Sequence, residues 1–562
     1  MNSLFKKNNI VIALLFFSLT TAVAQDRYVV QLKDKNNSPY SFSNPGAYLS
    51  QKSITRRANQ NIAIDSMDLP VNPVYVSTIS NLGATIINYS KWLNTITIQT
   101  TNSQVLADVQ ALSFVSSVNN VGRIIVATSA DIDSRKFKGS EILTRPKAAN
   151  SEKSNSFSYG PAFHQINMLN AINLHDAGFS GNGMMIAIMD AGFWKTDSLP
   201  VFDSLFAQNR IVATHDFVLN NDLVFDFHPR GTSCLSVMAA NLPGTMVGIA
   251  PHVQYILCRI EDGATENIIE EYNWAAGAEF ADSIGADVFS TSLGYTLFDN
   301  PNHNHSYASL DGNTAPMSIA ADIAASRGIV VINSAGNEGN SPWNYISVPA
   351  DANNILAVGA VDSLMQYASF SGNGPTPDGR VKPDVCALGQ GTYVVSPWDG
   401  SVVPGNGTSF SGPVIAGLAA CLWQAHNAKT SAELTSAIRQ SASQYSNPDT
   451  LLGFGIPNFS QASFILGGLD TPVSKDEDFI INYGPNPFKD EFTIGFFTTT
   501  NQDVTVSIYD VTGKLLQSFT KYVLPIFINQ ITISEKVSTG NIVVAITNSK
   551  GKVSRQVFTR LR

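Results

Sequence analysis

Short apolar runs, each the length of a buried strand, recur through the middle of this chain with helical stretches between them. Runs without polar alternation suit strands that are covered on both faces, as in a parallel sheet flanked by helices. We therefore predict an α/β fold with a parallel sheet for residues 159–466. The predicted strands are 185–189, 255–257, 288–291, 329–333 and 355–358, and the predicted helices are 268–284, 318–326 and 413–424.

The segment before this region has a different pattern. Residues 26–125 combine strand-like alternation at 28–32 and 95–99 with helical spacing at 105–112, which predicts a small α+β unit. Residues 126–158 are polar and contain few large apolar side chains, so they are predicted to be a linker or a processing segment.

The segment after it is again different. Residues 467–480 are polar and rich in Asp and Lys, which predicts a second linker. Residues 481–562 contain short strand-like runs, such as 492–497 and 542–546, separated by turn signals. This pattern predicts an all-β sandwich.

The first residues have the features of a signal peptide. Lys6 and Lys7 precede an apolar stretch at 10–20, and small residues follow at 22–24. We expect residues 1–24 to be removed on export; the alternative is a buried N-terminal helix. No later run reaches the roughly 18 apolar residues of a transmembrane helix, so the mature protein is expected to lack a membrane span.

Charge and cysteine content restrict the class of protein further. The net charge is -9 and no block of Lys or Arg reverses it locally, which argues against a nucleic-acid partner. An even number of cysteines in an exported chain permits disulfides, but their apolar sequence contexts favour buried free thiols, and their spacing fits no metal site. The cysteines are Cys234, Cys258, Cys386 and Cys421.

Three polar residues stand where an α/β sheet carries chemistry. Ser409 lies at a predicted loop-to-helix junction, where helix N–H groups favour developing negative charge. Asp190 ends a predicted strand, and Asn337 follows another beside a glycine, where its amide can donate to an oxyanion. Taken singly, each also fits an ordinary helix cap or turn.

Together these residues resemble the motifs of the subtilisin-like serine peptidases, the subtilases. Asp190 stands in the form strand-Asp-x-Gly, Ser409 in Gly-Thr-Ser-x-x-x-Pro and Asn337 in Ala-Gly-Asn-x-Gly. The resemblance implies that Ser409 is the nucleophile, Asp190 orients a base and Asn337 stabilises the oxyanion. The segment that resembles the strand pairing with a bound peptide consists of Ser292, Leu293 and Gly294.

The reaction implied by the resemblance is acyl transfer. A base activates Ser409, which attacks a peptide carbonyl, and water then releases the acyl-enzyme. The predicted function is that of a secreted serine endopeptidase acting on polypeptides. No cofactor is required; relatives often bind structural calcium, but no loop here is dense enough in carboxylates to assign ligands.

One position departs from the family pattern. The family base lies in a His-Gly-Thr run that opens a helix, and here Gly231 and Thr232 follow Arg230. A guanidinium stays protonated and has no acceptor lone pair, so it cannot take a proton from Ser409. His228 lies roughly 6–7 Å upstream along an extended backbone and can replace the base only if the loop folds back.

Three hypotheses follow from this departure. The chain is an endopeptidase that uses His228 or another base, or it is a pseudopeptidase that binds peptides or acts as a scaffold. Alternatively, Arg230 is a strain-level or sequencing change in an active enzyme, because His to Arg needs a single nucleotide. The sequence does not separate these hypotheses.

The flanking units also resemble known domains. Residues 26–125 resemble the inhibitory propeptides of exported Bacteroidetes subtilases. Arg56-Arg57 and the linker at 126–158 are candidate cleavage regions; the alternative for the dibasic pair is a solvated face. The run 483–488, Tyr-Gly-Pro-Asn-Pro-Phe, resembles the start of the type IX secretion sorting domain. That resemblance implies export across the inner and outer membranes, secretion or surface attachment, and the type IX machinery as a partner. The alternative is a carbohydrate-binding or adhesive sandwich.

Overall fold

The structure is a computed structural model. It describes residues 25–124, 141–142, 152–153, 157–467, 479–481, 487–489, 491–497, 502–523, 529–533 and 540–560. The predicted signal peptide, most of the two predicted linkers and residues 483–486 of the C-terminal motif lie outside these residues.

The N-terminal unit is the predicted α+β unit. Its antiparallel sheet has the order β2-β3-β1-β4, and the apolar face of this sheet packs against its helices around Val30, Ile79 and Ile96. The elements are β1 (Gln25–Leu32), α1 (Gln51–Asn59), α2 (Pro73–Asn81), β2 (Thr85–Ser90), β3 (Thr95–Gln99), α3 (Ser103–Gln110) and β4 (Val115–Ile124).

The central unit is built on a seven-stranded sheet of order β16-β15-β14-β13-β8-β12-β9, in which every neighbouring pair is parallel. Its strands are β8 (Met185–Asp190), β9 (Ile211–Asp216), β12 (Gln254–Arg259), β13 (Val288–Thr291), β14 (Val330–Ser334), β15 (Leu356–Val361) and β16 (Val385–Leu388). Short strands at its margins are β5 (Glu141–Ile142), β6 (Glu152–Lys153), β7 (Ser158–Gly160), β10 (Asn241–Leu242), β11 (Met246–Val247), β17 (Gln390–Val395) and β18 (Val402–Asn406).

Helices cover both faces of this sheet, which explains the continuous apolar strands. Helices α7 and α10 pack into one apolar core and helices α8 and α9 into another on the opposite face. The helices are α4 (Phe163–Asn167), α5 (Ile172–Asp176), α6 (Asp203–Ala207), α7 (Arg230–Ala239), α8 (Ile269–Ile284), α9 (Pro316–Ser326), α10 (Thr408–Ala425), α11 (Ser431–Gln440) and α12 (Phe459–Ile465).

The C-terminal unit is all-β, as predicted. It contains a sheet of order β19-β20-β23 and a sheet of order β22-β21-β24-β25, with a shared core that includes Phe492, Val506 and Phe558. The strands are β19 (Phe479–Ile481), β20 (Phe492–Phe497), β21 (Gln502–Asp510), β22 (Leu515–Val523), β23 (Asn529–Ile533), β24 (Gly540–Thr547) and β25 (Val553–Arg560).

The α/β prediction is confirmed, with two omissions in the sheet. All five predicted strands are present, but the edge strands β9 and β16 were not predicted. Strand β9 is only partly buried and includes the polar pair Thr214-His215, so it lacks the apolar run used to find the others. Helix α10 begins at Thr408, so Ser409 lies within its first turn.

The N-terminal unit docks on helix α8 through buried charges. The guanidinium groups of Arg56 and Arg57 both bind the carboxylate of Asp282, the latter at 2.8 Å, and Lys91 Nζ lies 3.5 Å from it. Arg56 and Arg57 are only 5% and 1% exposed and lie within α1. The prediction of a cleavage region at this dibasic pair is therefore wrong, because a protease cannot reach a buried, helical bond.

The prediction of free thiols is confirmed. All four cysteines are unpaired and buried in the central unit. In the part of the chain that the structure describes, no helix combines the length and apolar character needed to cross a membrane.

Candidate active site

The sequence-predicted residues meet at the carboxyl edge of the central sheet, as expected for ligand sites in parallel sheets. Asp190 is the last residue of β8, and Asn337 lies in the loop after β14. Arg230 is the first residue of α7, and Ser409 lies in the first turn of α10. Four segments that are distant in the sequence thus converge on one site.

Two glycines allow this convergence. A Cβ atom on Gly231 would lie 2.4 Å from the carbonyl oxygen of Gly192, so only glycine lets α7 approach the loop after β8 this closely. Gly407 has φ +141°, a conformation that favours glycine, and it turns the chain from β18 into α10. These glycines of the two sequence motifs are therefore required by the backbone.

The hydroxyl group of Ser409 is held by a main-chain carbonyl. Ser409 is 1% exposed, and its Oγ donates to the carbonyl oxygen of Ser292 at 3.2 Å. The hydroxyl of Ser292 in turn donates to the carbonyl oxygen of Ser409 at 2.9 Å. A carbonyl oxygen is not a usable general base, so this contact positions the hydroxyl without activating it.

The guanidinium of Arg230 contacts the hydroxyl of Ser409. Its Nη2 lies 3.3 Å from Ser409 Oγ and also donates to the carbonyl oxygen of Ser292. The side chain is 13% exposed. Burial acts to lower the pKa of Arg230, but the charges of Asp190 and Glu261 outweigh burial and raise the pKa. The group next to the hydroxyl of Ser409 is therefore a permanent cation that only donates.

Glu261 is a site residue that sequence reasoning missed. Its Oε2 lies 3.4 Å from Arg230 Nη1, and its Oε1 accepts a hydrogen bond from the hydroxyl of Tyr295 at 2.9 Å. Glu261 is 2% exposed and lies two residues after the end of β12, the neighbour of β8. The rule that pointed to Asp190, a carboxylate beyond a strand end, would have found Glu261 as well.

Asp190 is a buried carboxylate with one open oxygen. It is fully buried, and its Oδ1 accepts from the backbone N–H of Ala191 at 2.7 Å. Its Oδ2 is buried and makes no hydrogen bond of ordinary geometry to the residues that the structure describes. Burial raises the pKa of Asp190 to about 6, although the positive charge of Arg230 and the thiol of Cys234, which lies close to this carboxyl, act in the opposite direction.

The raised pKa of Asp190 predicts a pH-dependent stability effect. Because its folded-state pKa of about 6 lies above the unfolded value of about 3.9, ionisation opposes folding. The penalty is absent below about pH 4 and grows to about 3 kcal/mol as the pH rises past 6. We expect Asp190→Asn to raise the free energy of unfolding by up to about 3 kcal/mol near pH 7, and by almost nothing near pH 4. Urea unfolding of both proteins at the two pH values measures this, and equal gains at both would contradict it.

His228 takes part in the turn that precedes α7. Its Nδ1 accepts a hydrogen bond from the backbone N–H of Arg230 at 3.2 Å. This contact uses one of the two ring nitrogens for the local backbone, so a base function would have to use Nε2. The role of His228 as a substitute base stays a prediction.

Asn337 is oriented by the start of α10. Its Oδ1 accepts from the backbone N–H of Thr408 at 2.9 Å and from the hydroxyl of Thr408 at 3.0 Å. With the amide oxygen used in this way, the amide nitrogen is the end that can donate to a substrate carbonyl.

The predicted peptide-binding segment follows β13. Ser292 and Leu293 are 2% and 1% exposed, and a Cβ atom on Gly294 would lie 2.0 Å from Ser347 Oγ. The carbonyl oxygen of Ser292 already accepts from Arg230 and Ser409. A peptide N–H that bound this oxygen would have to replace one of them, because a carbonyl oxygen has two lone pairs.

Three carboxylates near the site lie close enough to hold a cation. Oxygen atoms of Glu261, Glu266 and Glu270 lie within 4.8 Å of one another. Glu261 is already bound to Arg230 and Tyr295, and Glu270 accepts from a backbone N–H. We therefore assign no calcium to this cluster.

Comparison with known proteins matches all three units. A model described as the Subtilase family matches residues 181–455, one described as the Peptidase S8 propeptide domain of Bacteroidota matches 27–136, and one described as a secretion system C-terminal sorting domain matches 483–560. The chain is 30% identical to subtilisin of Bacillus pumilus over 302 residues, 53% of this chain and 97% of that protein.

Two further proteins are also similar to this chain. Subtilisin E of Bacillus subtilis (strain 168) is 28% identical over 347 residues, 61% of this chain and 81% of that protein. The solved structure of the prenylagaramide maturation protease PagA is 21% identical, with a TM-score of 0.42, over 53% of this chain and 99% of that one.

Proposed function

The chain belongs to the subtilase family of serine peptidases, and from this premise we propose that it is an exported polypeptide-binding protein in which peptide hydrolysis is suppressed. One observation carries the proposal. The guanidinium of Arg230 lies 3.3 Å from Ser409 Oγ, where acyl transfer needs a proton acceptor.

The loss of the histidine base is expected to suppress hydrolysis almost completely, not to lower its rate modestly. Removing the histidine base of subtilisin, a relative of this chain, lowers kcat about a millionfold. Here the base is replaced by a cation that donates to Ser409 and to the carbonyl oxygen of Ser292. Neither the guanidinium of Arg230 nor the carbonyl oxygen of Ser292 can accept the proton of Ser409 at neutral pH.

The ligand class follows from the family membership. The proposed ligand is an extended polypeptide bound along Ser292, Leu293 and Gly294, where main-chain hydrogen bonds supply affinity and side-chain pockets supply specificity. Such a ligand displaces Arg230 or Ser409 from the Ser292 carbonyl oxygen, which weakens binding at that one point. No cofactor enters this proposal.

The C-terminal unit indicates where the protein is sent. The sorting domain at 483–560 marks the chain as exported, either secreted or attached to the cell surface. We propose the type IX secretion machinery as the partner of this unit.

A second candidate function is that of an active serine endopeptidase with His228 as the base. Two observations favour it: Asn337 is oriented by Thr408 toward an oxyanion role, and Oδ2 of Asp190 is open to a donor. For this function the turn at 228–230 has to rearrange so that the imidazole, and not the guanidinium, contacts Ser409 Oγ.

Fluorescently labelled, denatured casein separates the two candidates. We expect the full chain to bind it, measured by anisotropy, and to leave it intact on a gel. The matched variant Ser409→Ala is expected to bind equally and also to leave casein intact. Fragments that are produced by the natural chain and disappear in Ser409→Ala would establish the endopeptidase and overturn the proposal, as would the absence of binding.

A further inference from the structure

A cavity of about 490 Å³ lies at the edge of the central sheet opposite to Ser409. Its lining comes from residues just before β8, β9 and β12 and from the end of α10. The residues that matter for its chemistry are Phe157, Ser180, Gln208, Arg210, His252 and Gln424.

Arg210 supplies this cavity with a buried positive charge. The residue is 6% exposed, and its three nitrogen atoms donate, each at 3.1 Å, to Gln208 Oε1, the Val253 carbonyl oxygen and Ser204 Oγ. All three acceptors are uncharged. Within the described ranges no carboxylate forms an ion pair with Arg210, although most other buried arginines of the central unit have one.

A buried guanidinium without a counter-ion is costly, and an anion entering the cavity would relieve that cost. Burial alone already lowers the pKa of Arg210. The guanidinium has five N–H groups, and the three hydrogen bonds described leave further donors for a ligand.

The neighbouring side chains also present donors. The amide oxygen of Gln424 accepts from the backbone N–H of Gly181 at 2.7 Å, and the amide oxygen of Gln208 accepts from Arg210. Each contact leaves the –NH₂ end of the amide as the group available to a ligand. The Nδ1 atom of His252 forms a hydrogen bond with the hydroxyl of Ser180 at 2.6 Å, so Nε2 is the ring nitrogen that can contact a ligand.

Aromatic rings form the remaining wall. The ring of Phe157 lies 5.3 Å from that of His175 and 6.0 Å from that of His252. Burial lowers the pKa of His175 to about 4, and its two nitrogens bind Tyr159 and the Ile249 carbonyl oxygen, so it is neutral. This wall suits the apolar body of an organic ligand, and Arg210 is the cation of the cavity.

We propose that this cavity binds a small organic oxyanion, a carboxylate or a phosphate carried on an apolar body, with Arg210 as its counter-ion. The preference of the cavity for an anion depends on the side chain of Arg210 alone. The carboxyl end of α10 carries a partial negative charge, and Asp176 lies exposed beside His175, so both oppose an anion.

The decisive variant is Gln208→Glu. Gln208 is exposed and its Oε1 already contacts Arg210, so a carboxylate there supplies an internal counter-ion with little change of shape. The matched control is Gln440→Glu, an equal charge change on the exposed surface of α11. The probes are benzoate, its neutral analogue benzamide, and inorganic phosphate, titrated calorimetrically into the full chain at constant ionic strength.

We expect benzoate or phosphate to bind the natural chain and Gln440→Glu equally, and to bind Gln208→Glu at least about tenfold more weakly. Benzamide is expected not to bind. A preference for benzoate identifies a carboxylate ligand, and a preference for phosphate identifies a phosphate ligand. Absence of binding by both anions, equal binding by benzamide, or unchanged affinity in Gln208→Glu would overturn the proposal.

Discussion

Arg230→His is expected to raise the hydrolysis of an unfolded polypeptide by at least about a thousandfold over the natural chain. The substitution replaces a permanent cation with an imidazole that can accept the proton of Ser409 and donate to the open Oδ2 of Asp190. It also releases one hydrogen bond from the Ser292 carbonyl oxygen. The measurement is the initial rate of peptide release by purified full chain at neutral pH.

The control for this prediction is Ser409→Ala in the Arg230→His background, which is expected to return the rate to that of the natural chain. Arg230→Lys serves as a second control, because it keeps a cation and is expected to gain nothing. If Arg230→His and the natural chain hydrolyse the substrate at the same rate, then Arg230 is not what suppresses the reaction.

Asp282→Asn is expected to lower the free energy of unfolding by about 3–5 kcal/mol. The carboxylate of Asp282 is fully buried and binds Arg56, Arg57 and Lys91 of the N-terminal unit. Burial acts to raise the pKa of Asp282, but these cations outweigh burial and lower it. Removing the charge leaves the cations buried without their main counter-ion, and urea unfolding of the full chain measures the cost.

Lys52→Ala is the matched control at the same interface. Lys52 pairs with Asp287 at 2.7 Å but is 33% exposed, so its loss is expected to cost less than about 1 kcal/mol. Similar losses in the two variants would show that the buried ion cluster does not hold the N-terminal unit in place.

Local patterns were sufficient to predict most of the fold. The strands of the central sheet were found because they are apolar throughout. The two motifs were recognisable because the backbone requires glycine at Gly231 and Gly407. The edge strand β9 was missed because exposure leaves polar residues in it.

Features made by distant segments were harder to predict. Arg56 and Arg57 have the sequence of an exposed dibasic pair, and only the docking of α1 on α8 buries them. Arg210 belongs to no motif. Its separation from carboxylates depends on how the residues before β8, β9 and β12 pack together, and these residues are far apart in the sequence. Which atom of Arg230 contacts Ser409 likewise depends on the packing of α7 against α10.

Labelling of Ser409 by a fluorophosphonate tests the central claim most directly, because the probe reacts only with an activated hydroxyl. Peptide mass spectrometry of the natural full chain after incubation is expected to find Ser409 unmodified, and to find it modified in Arg230→His. Labelling of Ser409 in the natural chain at the rate seen for Arg230→His would contradict the account, because it would mean that the hydroxyl has a base despite the guanidinium beside it.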